Sequence, residues 1–299
     1  MEGVHQGHHE GHGGMPPVWI HGDGIHRRSR GRTFPAHSMG WTMWQGVTGM
    51  AEGYEEVVIE PRRGKREERV PPGIIMCFTP PDMKTVVHCL GLAGSSRRRL
   101  DFWTLRRCEP PLEMVGVVGP AFGAPAAVTL LERLVALEAK AVIGLGSCGS
   151  LQAKVPIGTI VLPEASVVEE GTSPHYLAPG VNTAPHAGLL REMCRALEEE
   201  GMEPVLGKVW TTDAVFRETK TKVMELQRQG VLAVDMESSA LMTVASFRGV
   251  PLVCVLVVSD ELWTLKWKKG FRSEKFLKAL SAASRASARC LKSWCHKRW

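Results

Sequence analysis

The chain has 299 residues, 44% hydrophobic and 23% charged, with a formal net charge of +6. That apolar content suffices for one large core, while no run of about 18 apolar residues offers a membrane span and the N-terminus lacks the layout of a secretory signal. The eight cysteines are scattered without a Cys-x-x-Cys pair, which fits reduced thiols in a cytoplasmic protein better than a disulfide framework.

Residues 1–54 differ from the rest. Seven histidines (5, 8, 9, 12, 21, 26 and 37) mix there with glycine and arginine, a composition that cannot bury a core and predicts a disordered extension. A single domain over residues 55–299 is expected to follow. The basic clusters Arg62 to Arg66 and Arg97 to Arg99 lie outside the apolar stretches and read as solvated surface; no nucleic-acid module accompanies them. Pro71-Pro72-Gly73 punctuates the entry to the body. Short apolar runs at 73–78, 114–118, 141–145, 157–162 and 252–258 predict strands covered on both faces. Helices are expected over 124–137, opened by Pro125, and over 189–200, 222–229, 238–247 and 275–294, the second and third followed by glycine. Strands alternating with helices predict an α/β fold.

Gly144-Leu145-Gly146-Ser147-Cys148-Gly149 matches G-x-G-x-x-G after a strand, but proline and glycine at Pro156 and Gly158 stand where a dinucleotide-binding helix would run. A serine-hydrolase elbow fails as well, because position 145 is leucine. What remains is a strand-end turn whose backbone N–H groups and Ser147 hydroxyl can hold an anion or sugar hydroxyls. Val234-Asp235-Met236-Glu237-Ser238-Ser239-Ala240 and Val257-Val258-Ser259-Asp260 deliver two acids from two strand ends. Taken singly, Glu237 also fits an acid at a helix N-terminus and Asp260 a turn or cap residue.

In order and spacing, Val118-Gly119-Pro120-Ala121-Phe122-Gly123, Gly146-Ser147-Cys148-Gly149, Glu170-Gly171-Thr172-Ser173-Pro174-His175-Tyr176, Asp235-Met236-Glu237 and Ser259-Asp260 together resemble the nucleoside phosphorylase family, which includes purine nucleoside phosphorylases, uridine phosphorylases and nucleosidases. The resemblance implies a single α/β domain with a central mixed, partly barrel-like sheet flanked by helices. It implies cleavage of the N-glycosidic bond of a purine nucleoside or uridine by phosphorolysis, with a hydrolytic nucleosidase or a silent nucleoside binder as alternatives. Asp260 and Glu237 would be catalytic, Asp260 assisting the leaving base and Glu237 holding the ribose hydroxyls. Met236, Gly146, Ser147, Tyr176, Phe216 and Arg217 would touch the nucleoside. Ser147 and Lys84 would meet phosphate, because Gly144 stands where the family usually has an arginine; Arg62, Arg63 or Lys65 could also fold over the site. Inorganic phosphate would be the co-substrate, with no cofactor and no metal, and the chain would form a homo-oligomer.

Overall fold

The computed structural model describes residues 57–177, 181 and 183–298; the expected extension over residues 1–54 lies outside them. In chain order the strands are β1 (Gly73–Cys77), β2 (Arg97–Leu100), β3 (Trp103–Arg107), β4 (Val115–Gly119), β5 (Ala141–Ser150), β6 (Ile160–Glu169), β7 (Val205–Thr212), β8 (Ala233–Asp235), β9 (Leu252–Glu261) and β10 (Lys268–Lys269). The helices are α1 (Pro80–Cys89), α2 (Ala124–Ala136), α3 (Ala187–Glu198), α4 (Lys220–Arg228), α5 (Ser238–Arg248) and α6 (Glu274–His296).

One mixed sheet results. β4, β1, β5 and β9 run parallel and side by side, and every residue of β1, β4 and β9 is buried, as the continuous apolar runs predict for strands covered on both faces. From β9 the sheet curls through β6, β7 and β8 and returns to β5, which closes a five-stranded ring. The free arm runs out through β4 and β3 to the edge strand β2, where Arg97, Arg98 and Arg99 protect the edge against pairing with another chain.

Alternation along β5 sends its side chains to opposite faces. Val142 and Cys148 pack with Phe78 under α2 and α5, whose Ala127, Leu131, Leu134, Leu241 and Val244 are buried there. Ala141, Ile143 and Leu145 pack on the other face against α1, α3 and α6, through Val86, Leu189, Met193, Ala283 and Leu291. α4 covers the ring, with Val223 and Leu226 against Trp210 and Val234. Among the described residues no helix is long and apolar enough to cross a membrane, and all eight cysteines are free thiols.

Residues 79–84 form the N-cap and first turns of α1: Thr79 Oγ1 accepts from Asp82 N at 3.2 Å and prolines fill the first helical positions, where a missing N–H costs nothing. One expectation is corrected. The glycine-rich segment is no turn but the second half of β5, continuing to Ser150. Its glycines make room for a ring: a Cβ at Gly144 would stand 2.9 Å from Phe78 Cζ, and one at Gly146 would overlap the same ring.

A candidate active site at the strand ends

The candidate residues gather where strands of the ring and its neighbours end, the usual place for a ligand in such sheets. β8 is antiparallel to β5, with Val234 opposite Gly149, so Asp235 points back along β5 and the chain then enters α5. Asp235 caps that helix. Its Oδ2 accepts from Ser238 N at 2.8 Å, and its Oδ1 accepts from Ser238 Oγ at 2.9 Å and Thr211 Oγ1 at 2.7 Å.

Glu237, 3% exposed, is the N-cap residue of α5 but does not cap it. Its Oε1 accepts instead from Gly123 N at 2.6 Å, at the head of α2, and its Oε2 from Met236 N at 3.3 Å. Gly123 has φ +82°, a conformation glycine adopts without strain. Burial, then the charge of Asp235, pushes the Glu237 carboxyl well above the usual range. Burial raises Asp235 too, but with four donors on its ionised form Asp235 is the better anion, so the proton of this pair belongs on Glu237.

Asp260 sits opposite Gly149 at a bulge: Cys148 pairs with Val258 and Gly149 with Asp260, which leaves Ser259 as the extra residue. Such bulges re-aim side chains. Asp260 Oδ1 accepts from Ser259 Oγ at 2.7 Å and Oδ2 from Trp267 Nε1 at 2.8 Å. Burial raises its carboxyl, and the two donors partly offset the rise. Glu218, just after the turn at Val215–Arg217, is pushed up to about 7 by burial and by the charge of Asp260.

A third acid was not foreseen. Asp82, 2% exposed, projects from the first turn of α1, and both its oxygens accept from Ser147 Oγ at 3.1 Å. Burial raises it as well, against the pull of the Thr79 and Ser147 hydroxyls, and its charge reaches Glu237. The signal was present in Thr79-Pro80-Pro81-Asp82, a threonine three residues before an acid, which marks a helix start.

The structure brings Glu237, Met236, Ser147 and Asp260 to one region and leaves other expected residues apart. Gly146 lies inside β5 with Phe78 packed against it. Lys84 is exposed and, two residues beyond Asp82, points about 200° around the helix from it. Tyr176 packs edge-on to Phe247 at 5.3 Å and hydrogen-bonds Glu132, which is ion-paired to Arg248. Phe247 stands ten residues along α5 from Glu237, about 15 Å away by helix rise. Phe216 is 92% exposed, so it is not core, and Arg217 is exposed beside it. Arg62 pairs with Glu60 and Arg63 with Glu138 beyond the C-terminal end of α2, about 20 Å from Gly123 by helix rise. Among the described residues no Lys or Arg bonds Asp82, Ser147, Glu237 or Asp260, and no group of three or more His, Cys, Asp or Glu is arranged to hold a metal ion.

Residues 73–294 match the Phosphorylase superfamily. A DeoD-type purine nucleoside phosphorylase of Bacillus cereus is 33% identical over 153 residues, 50% of this chain and 65% of that protein, so the chain spans just under two thirds of that relative. A uridine phosphorylase from Vibrio fischeri ES114 shares the fold with a TM-score of 0.63 and 23% identity, over 76% of this chain and 93% of that one. A purine nucleoside phosphorylase from Toxoplasma gondii, in complex with immucillin-H, superposes with a TM-score of 0.70 and 20% identity, over 82% and 99%. At these identities the structural likeness is one of fold.

Proposed function

Because the chain belongs to the phosphorylase superfamily, whose members are nucleoside phosphorylases and nucleosidases, we propose that it is an enzyme that breaks the N-glycosidic bond of a nucleoside, with water as the nucleophile. The observation that carries the choice of water is the Asp82–Ser147 pair. A carboxylate whose affinity for protons is raised by burial is suited to take a proton from water near neutral pH, and Ser147 holds it in place. Ionised Asp82, to which no Lys or Arg among the described residues is bonded, repels a phosphate dianion. Gly144, against which Phe78 packs, stands where the family resemblance implies an arginine.

In this reading Glu237 orients the ribose hydroxyls beside Met236. Asp260 gives its proton or a hydrogen bond to the departing base as negative charge grows there. Asp82 activates the water that meets the oxocarbenium-like ribose. Asp260 favours a purine, whose ring nitrogen accepts that proton. The solvent-facing Phe216 and Arg217 stand ready to cover the base. The enzyme is a cytoplasmic homo-oligomer acting on small molecules, as the family resemblance implies.

Phosphorolysis to ribose 1-phosphate is the second reading, supported by the 33% identity with the Bacillus cereus enzyme; phosphorylases of this family need no cofactor beyond phosphate as co-substrate. Chromatographic release of free base from inosine, adenosine, uridine and 5′-methylthioadenosine, with and without phosphate, tests the proposal. Release at one rate in both conditions is expected. Release that requires phosphate moves the assignment to phosphorolysis, and no release from any of the four removes the enzyme reading.

A further inference from the structure

Trp267 is unusual for a tryptophan in being 55% exposed, so its ring adds little to the core. It is nevertheless fixed by three contacts. Its Nε1 donates to Asp260 Oδ2 at 2.8 Å, Phe271 meets it edge-on with centroids 6.4 Å apart, and the Lys269 ammonium lies 4.2 Å from the ring centroid. The β9–β10 hairpin sets the distance, because Lys269 is paired with Asp260 and Lys268 with Glu261. Trp263, on the same hairpin, donates to Glu261 Oε2 at 3.1 Å instead. Glu261 is itself tied to Lys268 and to Ile157 N.

An indole N–H can donate but never accept, so the oxygen facing it cannot direct a proton toward Trp267. On the other side, the Ser259 hydroxyl has one hydrogen and two acceptors in reach, Cys148 O at 3.2 Å and Asp260 Oδ1 at 2.7 Å. With the Ser259 hydrogen turned to Cys148 O, Oδ1 is released from accepting it and is free to carry the proton. We propose that Trp267 is a positioning residue for Asp260: it locks Oδ2 as an acceptor, so the acid's proton resides on Oδ1 and the carboxyl keeps one orientation toward the leaving base. This rests on Asp260 acting as the acid in nucleoside cleavage.

The groups around Asp260 are few. Glu218 faces it from the turn after β7 and Cys148 from β5, both with proton affinities raised first by burial and further by its charge. Lys269, opposite Asp260 across the β9–β10 hairpin, lies over the Trp267 ring, and Asp235 acts on the same Cys148 thiol from β8. The indole is a donor that favours the ionised carboxyl; its loss raises the pH at which Asp260 gives up its proton.

The test compares Trp267→Phe with Trp263→Phe as control, in full-length protein labelled with ¹³C-aspartate. The Asp260 carboxyl is followed by NMR and assigned from its absence in Asp260→Asn. W267F is expected to titrate at higher pH than wild type, with the alkaline limb of kcat/KM for nucleoside cleavage moving the same way. Its kcat should fall about tenfold, the scale of one charge-assisted hydrogen bond, with KM changing less. W263F should leave the titration in place. Equal Asp260 midpoints in W267F and wild type, or an equal displacement in W263F, would overturn the proposal. If wild type cleaves no nucleoside, the functional assignment fails, while the carboxyl titration still decides whether Trp267 governs Asp260.

Discussion

A carboxyl buried among neutral donors holds its proton to higher pH than one at the surface, and Asp82, Glu237 and Asp260 are three such groups with different partners. Asp82→Asn keeps the shape and removes the base, so nucleoside cleavage should fall by about 10²- to 10⁴-fold; a rate close to wild type would remove Asp82 from the mechanism. Glu237 carries a stability consequence. Unfolded, it ionises near 4.5, whereas the folded site keeps it protonated well beyond that. Above pH 4.5 the unfolded chain therefore binds fewer protons than the folded one, and stability declines as pH rises until the folded carboxyl ionises too. Glu237→Gln removes this loss. The variant should melt above wild type at alkaline pH, close to it at acid pH, and turn over poorly; equal melting at both ends would show that Glu237 is not held protonated. Glu237 and Asp260 were legible because each follows an apolar run and carries a family motif. Asp82 was not, since its role depends on Ser147, 65 residues away in sequence.

At the scale of elements, burial on both faces made β1, β4 and β9 readable as apolar runs, and Gly249 in a left-handed conformation ends α5 where expected. Local composition misled in one place: the glycines of β5 suggested a turn, although they answer the bulk of Phe78. Gly146→Ala should destabilise the protein by about 1–3 kcal/mol through overpacking, read from urea unfolding. Gly144→Arg should unfold as easily without gaining phosphate dependence; an equally stable variant would mean that Phe78 yields freely. Thr79→Ala should cost about 1 kcal/mol as a lost N-cap and slow cleavage by loosening Asp82, while Thr79→Ser should preserve both. β2 escaped notice because arginines on an edge strand read as plain surface.

Across the whole molecule, the closed ring joins strands far apart in sequence. β5 pairs with β9 and β8, and hydrophobic period alone cannot announce such long-range partners. The α/β class was readable, and the family resemblance supplied the partly barrel-like sheet. Closure matters for chemistry because it brings Asp82 from the α1 face, Glu237 from the α2 and α5 face, and Asp260 from β9 to one edge of one sheet. The absence of a bonded Lys or Arg there, among the described residues, is a property of that assembly and not of any motif. The decisive measurement is ³¹P NMR of a purine nucleoside turned over by the full-length protein in saturating phosphate. Hydrolysis predicts free base and free ribose with no new phosphorus resonance. A ribose 1-phosphate signal growing in step with the base would contradict it.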